Sequence, residues 1–317
     1  MKILLLSQFI PTQSDKYLTL EEKNILNSYI KPIYNTLIEL GHEVSLEVEP
    51  QNLLNHSNDL DLVFSLYTRI GFKNYEVLIS NICNFINFAC NGASYNIKAL
   101  AEDKVFAKIY AKHLNIATSN WFELSYREKI PSQSQLPFSA PYFIKPRNSG
   151  ASIGISEKSL CNNYEDLEDQ FHNISFFKMN SIVETYIKGP IITVPIIRVK
   201  KELYHAAYQL ETNEPNGIIS HEIKKGLHNS YYCIRSKPKM DIELEAIEKS
   251  IVMFNSLKDC GYARFDFIYE SSSNQLLFLE FNTCPNIQEQ SGFYMALRTK
   301  YNLSYKAFIA LILQSCI

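Results

Sequence analysis

Apolar runs typical of strands alternate with helically spaced segments along the first third of the chain. Leu18 to Leu40 has helical spacing with Gly41 behind it, and Pro32 should kink or divide this helix. The pattern predicts three strands and a further helix, which are Lys2 to Ser7, Glu43 to Val48, Leu60 to Leu66 and Tyr75 to Ala89. A strand–helix–strand order indicates a parallel sheet, so residues 1–97 are predicted to form a small Rossmann-like domain. They contain no GxGxxG motif, so nothing there indicates a dinucleotide.

The same patterns predict the elements of the remaining chain. Ile97 to Leu114 is predicted as one amphipathic helix with Asp103 and Lys104 in its middle. The predicted strands are Trp121 to Leu124, Pro141 to Lys145, Ser181 to Ile187 and a long hairpin over Ile191 to Gln209. The predicted helices are Asn163 to Phe171, Ile242 to Cys260 and Ser304 to Gln314.

The most informative stretch is a predicted β-hairpin, Gly261 to Pro285. Alternating strands flank a turn of three serines and an asparagine. A turn centred on Ser273 would place Asp266 opposite Glu280 and Arg264 opposite Asn282. The opposite face would carry the apolar side chains Ala263, Phe265, Phe267, Leu277, Leu279 and Phe281.

Two directly opposed carboxylates repel each other and need a neutralising partner. Mg²⁺ is commonly held by a few carboxylates together with substrate phosphates, so Asp266 and Glu280 are candidate metal ligands. A surface hairpin whose charges face water is the alternative, and spacing alone does not separate the two.

The loop from Lys145 to Gly154 combines a strand-terminal lysine with serine, glycine and alanine. Small residues let backbone N–H groups approach phosphate oxygens, and lysine adds a positive charge. The order differs from the GxxxxGK[ST] phosphate loop, and an ordinary flexible turn explains the composition equally well.

Composition narrows the protein class. The chain has 317 residues and a net charge of −2, which argues against a general nucleic-acid binder. Its seven cysteines include no CxxC pair, so zinc and a disulfide framework are not expected, and a reducing cytoplasm fits best. No signal peptide and no apolar run of membrane-spanning length is found.

Four segments in order resemble motifs of the ATP-grasp ligases, specifically the D-alanine–D-alanine ligase branch. They are Asp103-Lys104; Phe143 to Pro146 with the loop behind it; Val183 to Pro190; and Ala263 to Phe267 with Leu279 to Thr283. The resemblance covers residues 98–293, whereas the first 97 residues match only in general character. It implies an α/β (α+β) ATP-grasp fold with an N-terminal Rossmann-like domain at 1–97, a central subdomain at 98–188 and a metal-binding subdomain at 189–317.

The resemblance also implies which residues hold ATP. Lys104 and Lys145 would contact the phosphates or adenine N7, and Glu184 would accept from the adenine amino group near the backbone of Tyr186 and Ile187. The mobile phosphate loop would include Ser149, Gly150, Ser152 and Gly154, and Lys224 would belong to a second active-site loop.

For the reaction centre, the resemblance implies that Asp266, Glu280 and Asn282 hold two Mg²⁺ ions. Arg264 would stabilise the tetrahedral oxyanion, and Ser291 would bind the carboxylate of the amine-donating substrate.

The chain departs from the family pattern at several positions. Ile191 stands where a glutamate usually binds the ATP ribose, Ala151 replaces a serine of the phosphate loop, and Lys225 replaces a tyrosine. The acidic residue that orients the first D-alanine has no clear equivalent in Ser7 to Lys16. The pocket for the first substrate, near residues 7–16, 67–76 and Lys225, is therefore expected to differ from that of the ligases.

These observations lead to the hypothesis of an ATP-dependent carboxylate–amine ligase that works through an acylphosphate and uses a different amino-acid or carboxylic-acid substrate. The alternatives are a true D-alanine–D-alanine ligase of cell-wall synthesis and a non-ligating ATP-binding regulatory protein. Expected partners are small molecules, with no nucleic acid and no membrane, and a homodimer stays open.

Overall fold

The computed structural model describes residues 1–56, 59–67, 74–150, 152–212, 216–218, 232–235 and 237–316. The N-terminal layer is a parallel sheet in the order β2-β1-β3, formed by β1 (Lys2–Leu6), β2 (Glu43–Glu47) and β3 (Leu62–Ser65). Its helices are α1 (Leu20–Ile25), α2 (Lys31–Glu39) and α3 (Tyr75–Phe85). The predicted parallel α/β layer is therefore present.

A π-helical turn, Leu26–Ile30, joins α1 to α2. It lies directly before Pro32, which has no N–H to donate and whose ring clashes with the preceding turn of a regular helix. The predicted interruption at Pro32 thus takes the form of a wider turn within one continuous helical run. Thr19 and Glu22 form a capping box at its start.

The predicted single helix over Ile97 to Leu114 was wrong in one respect, because the chain forms two helices. These are α4 (Tyr95–Glu102) and α5 (Lys104–His113), separated by Asp103 in an extended conformation. The Asp103 carboxylate accepts hydrogen bonds from the N–H groups of Val105 and Phe106, so it begins a new helix rather than continuing the old one.

The central sheet is antiparallel in the order β4-β7-β5-β6 and carries one helix. Its elements are β4 (Trp121–Leu124), β5 (Tyr142–Pro146), β6 (Leu160–Cys161), α6 (Tyr164–Phe176) and β7 (Ser181–Thr185). Leu167, Phe171 and Ile174 of α6 pack on this sheet in a hydrophobic cluster of their own.

The C-terminal sheet is the larger one, with the order β11-β10-β8-β12-β13 and β9 paired to β8. Its strands are β8 (Ile191–Val199), β9 (Glu202–His205), β10 (Tyr208–Thr212), β11 (Tyr232–Arg235), β12 (Tyr262–Glu270) and β13 (Gln275–Asn282). Its helices are α7 (Met240–Ser256), α8 (Gly292–Tyr301) and α9 (Tyr305–Gln314). The sequence patterns did not predict β11 or α8.

Two further clusters tie the layers together. Ile3 and Leu5 of β1 share a core with Phe293 of α8 and Phe308 of α9, so the two ends of the chain pack as one body. A second core lies between α4, α5 and α7 on one face of the C-terminal sheet. The domain boundaries at 97 and 188 stay a prediction.

No helix in the described ranges is long and apolar enough to cross a membrane.

Candidate active site

The hairpin β12–β13 pairs the side chains that the sequence singled out. Asp266 lies opposite Glu280, and Arg264 lies opposite Asn282. Near the turn, however, Glu270 pairs with Gln275, so the turn is not centred on Ser273. The register shifts by one residue between Asp266 and Phe267, where a β-bulge restores the predicted pairing.

The bulge corrects the predicted faces of β13. Leu279 is the extra residue, because Phe267 pairs with Phe278 while Asp266 pairs with Glu280. Leu279 and Glu280 both line a cavity, whereas the core contains Leu276, Phe278 and Phe281. The expectation that Leu277, Leu279 and Phe281 share the buried face was therefore wrong.

Arg264 neutralises Asp266 in the structure. Its guanidinium donates to both carboxylate oxygens, with Nη2–Oδ2 at 2.7 Å and Nε–Oδ1 at 3.1 Å. Although burial opposes its charge, Asp266 raises the pKa of Arg264 above its usual range. The Asn282 amide donates to Asp266 Oδ2 at 3.3 Å, so three of the predicted residues form one hydrogen-bonded set.

Glu184 lies at the centre of a second charged group. Its carboxylate is 3% exposed and forms ion pairs of 2.6 Å with Lys145 Nζ and with Lys108 Nζ. Burial by itself would raise the pKa of Glu184, but the two ammonium groups outweigh it and lower the pKa to about 2. Glu184 is therefore a permanent hydrogen-bond acceptor at neutral pH.

Sequence reasoning missed Lys108, which is fully buried and also donates to Ser119 Oγ and to the backbone oxygen of Phe278. Its signal was its position four residues after Lys104, on the same face of α5. Spacing alone does not distinguish such a lysine from a solvated one.

Lys104 links the phosphate loop to the hairpin. Its ammonium is 3% exposed, donates to the backbone oxygen and the hydroxyl of Ser149, and lies 3.9 Å from Glu280 Oε2. Arg147, at the start of the same loop, forms an ion pair with Asp103 at 2.8 Å. The cap of α5 and the predicted phosphate loop are thus held together by paired charges.

The loop itself has the conformation expected of a tight phosphate cradle. Ser152 and Gly154 have positive φ angles of 58° and 79°. A Cβ atom at Gly154 would lie 2.5 Å from Cγ of Pro146, so only glycine fits there. The backbone oxygen of Gly150 accepts from Ile153 N at 3.0 Å.

Several of these groups line one cavity of about 170 Å³. Its charged side chains are Lys145, Glu184, Arg264, Asp266 and Glu280, and Ser152 also lines it. Its apolar and aromatic side chains include Phe143, Tyr186, Ile187, Ile191, Leu210, Ile268 and Leu279. A lining that combines apolar walls with charged groups suits a ligand that carries both a purine and a triphosphate.

The donor set also suits Mg²⁺. Asp266, Glu280 and Asn282 can all supply oxygen ligands. Thr193 of β8 lies opposite Asp266, and its buried hydroxyl has no hydrogen-bond partner in the described structure. Within the described ranges, no three His, Cys, Asp or Glu side chains cluster as a metal site. Any Mg²⁺ ion here would need water or phosphate oxygens to complete its coordination shell.

Among the predicted site residues that the structure describes, the cavity lining does not include Lys104, Ser149, Gly150, Gly154, Asn282 and Ser291. Ser291 is 8% exposed and caps α8, where its hydroxyl accepts from Tyr294 N at 3.2 Å. The adjacent Gly292 packs tightly against the hydroxyl of Tyr208. Lys224 lies outside the described residues, as do Ala151 and Lys225.

Comparison with known proteins identifies the family of the chain. The family model described as "D-ala D-ala ligase C-terminus" matches residues 110–314, well over half of the chain. The chain belongs to the D-alanine–D-alanine ligase family. Among curated relatives, it is 27% identical over 287 residues to the D-alanine–D-alanine ligase of Aquifex aeolicus, covering 89% of this chain and 92% of that protein. Its identity to D-alanine–D-alanine ligase B of Clostridium tetani is 26%, covering 80% and 70%.

Solved structures of this family share the fold. The D-alanine–D-alanine ligase of Bacillus anthracis complexed with ATP has a TM-score of 0.74 and 17% identity, covering 100% of this chain and 97% of that chain. The VanG D-Ala:D-Ser ligase of Enterococcus faecalis has a TM-score of 0.77 and 15% identity, covering 100% and 99%. The resemblance and the ATP-grasp fold predicted from the sequence motifs are confirmed, and so is the enzyme class, an ATP-dependent ligase.

Proposed function

We propose that this protein is a D-alanine–D-alanine ligase, which couples two D-alanine molecules at the expense of ATP. The observation that carries the proposal is the convergence of Lys145 and Glu184 with the Asp266–Glu280 hairpin on one cavity, with the Lys104 ammonium 3.9 Å from Glu280. The relatives named above are D-alanine–D-alanine ligases, which supports D-alanine as the substrate better than another acid.

In the proposed reaction, the γ-phosphate of ATP transfers to the carboxylate of the first D-alanine and gives an acylphosphate. The amine of the second D-alanine attacks that carbonyl carbon, and inorganic phosphate leaves. Lys104, Lys145 and the loop over residues 149–154 would hold the phosphates, and Glu184 would accept from the adenine amino group. Because the protein contributes little covalent chemistry, positioning and charge supply most of the rate.

Asp266, Glu280 and Asn282 would hold Mg²⁺, with two ions proposed. When bound, Mg²⁺ stabilises the negative charge on the transferring phosphoryl group. Arg264, which lines the same cavity, would stabilise the oxyanion of the tetrahedral intermediate. Ser291 is proposed to bind the carboxylate of the second substrate, and Lys224 to reach the phosphates from its loop.

The expectation of a different first substrate has less support. It depended on Ala151, Lys225 and the changed segment Ser7 to Lys16. Ala151 and Lys225 lie outside the described residues, whereas residues 7–16 are described. The non-ligating alternative depended on Ile191 alone, and family membership favours the enzyme.

The deciding experiment measures ADP release and product mass with D-alanine alone, and with D-alanine paired with D-serine or D-lactate. D-Alanine alone should give the dipeptide at rates on the order of 1–10³ per second. D-Glutamate or D-aspartate as the first substrate tests whether the pocket prefers a substrate with an additional carboxylate. Glu280→Gln protein is the negative control for ADP release. Turnover with a dicarboxylate but not with D-alanine would overturn the assignment.

A further inference from the structure

A group of cysteines surrounds a buried lysine away from the nucleotide cavity. Lys98 of α4 is 4% exposed, and its ammonium donates to the backbone oxygen of Asn91 at 3.0 Å. The sulfur of Cys90 lies 3.9 Å from the same ammonium. A positive charge at this distance stabilises a thiolate over a thiol.

A second thiol lines the same cavity as Cys90. It belongs to Cys83, which lies in α3 and is 1% exposed. The Cys83 thiol, as a hydrogen-bond donor, lowers the pKa of Cys90, and although burial opposes this shift, the Lys98 ammonium helps to bring that pKa to about 6. The pKa of the Cys83 thiol is raised, so the Cys90 sulfur is the anion and the Cys83 sulfur keeps the proton.

The pair opens on a cavity that small molecules can enter. This cavity has a volume of about 420 Å³ and includes both Cys83 and Cys90 in its wall. The charged and titratable groups that face the pair from all surrounding elements are Glu76, Lys98, Arg198, Lys258, Asp259, Cys260, Cys284 and Cys316. Cys90 is half-buried, whereas Cys83 is covered, so a reagent meets Cys90 first.

We propose that Cys90 is the nucleophilic thiolate of a modification site for hydroperoxides, with Cys83 as the resolving thiol. The Cys90 thiolate attacks the peroxide ROOH, the O–O bond breaks, and Cys90 sulfenic acid and an alkoxide form; the alkoxide takes a proton from water. The Cys83 sulfur then attacks the sulfenic sulfur, which forms a Cys83–Cys90 disulfide and releases water. The two thiols lose two electrons, and the peroxide gains them.

The site lies close to the proposed metal hairpin. Gly92, two residues after Cys90, has no room for a Cβ, which would lie 2.7 Å from the backbone oxygen of Thr283. Thr283 directly follows Asn282. The modification is nevertheless a property of the thiols themselves, so it can be tested without relying on the proposed function.

The first test is the pH profile of alkylation on the full-length wild-type protein. Iodoacetamide is applied between pH 5 and pH 9, and labelling is read at each cysteine by peptide mass spectrometry. Cys90 should reach half its maximum rate near pH 6, whereas an ordinary thiol does so near pH 8.5. Cys161, which is buried in the central subdomain, serves as the internal control and should stay unlabelled until the protein unfolds.

The second test uses hydrogen peroxide followed by blocking with N-ethylmaleimide. The expected product is a cross-linked pair of peptides containing Cys83 and Cys90, reversible by dithiothreitol. Lys98→Met should move the half-point for Cys90 to higher pH and slow the cross-link. A half-point near pH 8.5 in the wild type, or peroxide oxidation at other cysteines first, would overturn the proposal.

Discussion

Glu184 illustrates how charge is arranged at the scale of single residues. Its carboxylate is enclosed by the Lys108 and Lys145 ammonium groups, and Ser119 donates to it at 3.4 Å. A buried carboxylate with two counterions keeps its charge, so it can accept from an amino group but cannot donate to a carbonyl oxygen. This property would favour adenine over guanine.

Lys108→Met should therefore weaken both the fold and nucleotide binding. Removing one member of a buried ion pair costs about 3–5 kcal/mol, so the free energy of unfolding in urea should fall by about this amount. The Michaelis constant for ATP should rise more than the turnover number falls, because Lys108 positions Glu184 and lies outside the cavity lining. Lys112→Met is the matched control, since Lys112 is exposed on the same helix and stacks on Trp121.

The same ion pairs predict a pH dependence. The pKa of Glu184 is lowered to about 2, below its unfolded value of about 4.3, so its stabilising effect is complete above that value and is lost as pH falls toward 2. In Lys108→Met the pKa of Glu184 should rise toward its unfolded value, so the loss of stability in acid should be smaller and should end at a higher pH. Identical acid limbs in urea titrations of the two proteins would contradict this.

Ile191 sets a second residue-scale prediction. It lines the cavity beside Leu210 and Ile268, where the family usually has a glutamate for the ribose. Ile191→Glu should tighten ATP binding about tenfold, because a charge-assisted hydrogen bond is worth about 1.5–3 kcal/mol before the cost of burying the carboxylate. Calorimetry would give the dissociation constant. Ile191→Gln supplies the uncharged control, and 2′,3′-dideoxy-ATP should show no gain; an equal gain with it would refute a ribose contact.

At the scale of elements, the bulge at Leu279 determines which side chains of the β12–β13 hairpin face the cavity. It turns both Leu279 and Glu280 toward the cavity, so one strand supplies an apolar wall and a candidate ligand in succession. Regular pairing from the observed turn would have placed Leu279 opposite Asp266.

Substitutions in this hairpin should separate metal binding from folding. Asp266→Asn or Glu280→Gln should abolish turnover, by more than about 100-fold, since groups that only support metal ligands already cost 10–100-fold. The melting temperature of Glu280→Gln should change little, because the replacement keeps the side-chain shape. Asp266→Asn should also lower the melting temperature, because it removes one member of the Arg264–Asp266 ion pair. Glu270→Gln, at the turn end of the same strand, should behave like the wild type. An unchanged dependence of activity on Mg²⁺ concentration in Asp266→Asn or Glu280→Gln would remove these residues from the metal site.

At the scale of the whole molecule, the N-terminal layer depends on the C-terminal helices. Phe308 is fully buried and shares its core with Ile3 and Leu5. Its ring centroid lies 5.8 Å from that of Phe293 and 5.1 Å from that of Tyr294, with the rings tilted. The central sheet has a separate hydrophobic cluster. Unfolding of one end of the chain should therefore be coupled more strongly to unfolding of the other end than to unfolding of the central sheet.

Phe308→Ala should cost about 3–5 kcal/mol by leaving a cavity in this core. Hydrogen exchange should speed up at the amides of β1, about 300 residues away in sequence, while β7 keeps its protection. Phe85→Ala is the control, because Phe85 is 82% exposed. Equal loss of protection in β1 and β7 would show that the clusters do not unfold separately.

The sequence by itself determined the features that depend on short spacing. Strand alternation put Arg264 beside Asp266 and placed Glu280 with Asn282, because side chains two apart share a face. Ordered motifs identified the family, and most strands and helices followed from apolar periodicity. Pro32 correctly predicted an interruption of the first helical run, because the absence of its N–H affects only the adjacent helical turn.

Only the tertiary structure decided which distant groups meet. Lys108 in α5 and Glu184 in β7 are far apart in the sequence, with β4, β5, β6 and α6 between them. Their pairing depends on where the fold brings α5 and β7. The break at Asp103 depended on Arg147 of a later loop as well as on the cap itself. The bulge at Leu279 had no signal in the alternation, because an extra residue is selected by the packing of Phe278 and Phe281 in the core. Long-range contacts and burial set these features, and neither can be read from the spacing of residues along the chain.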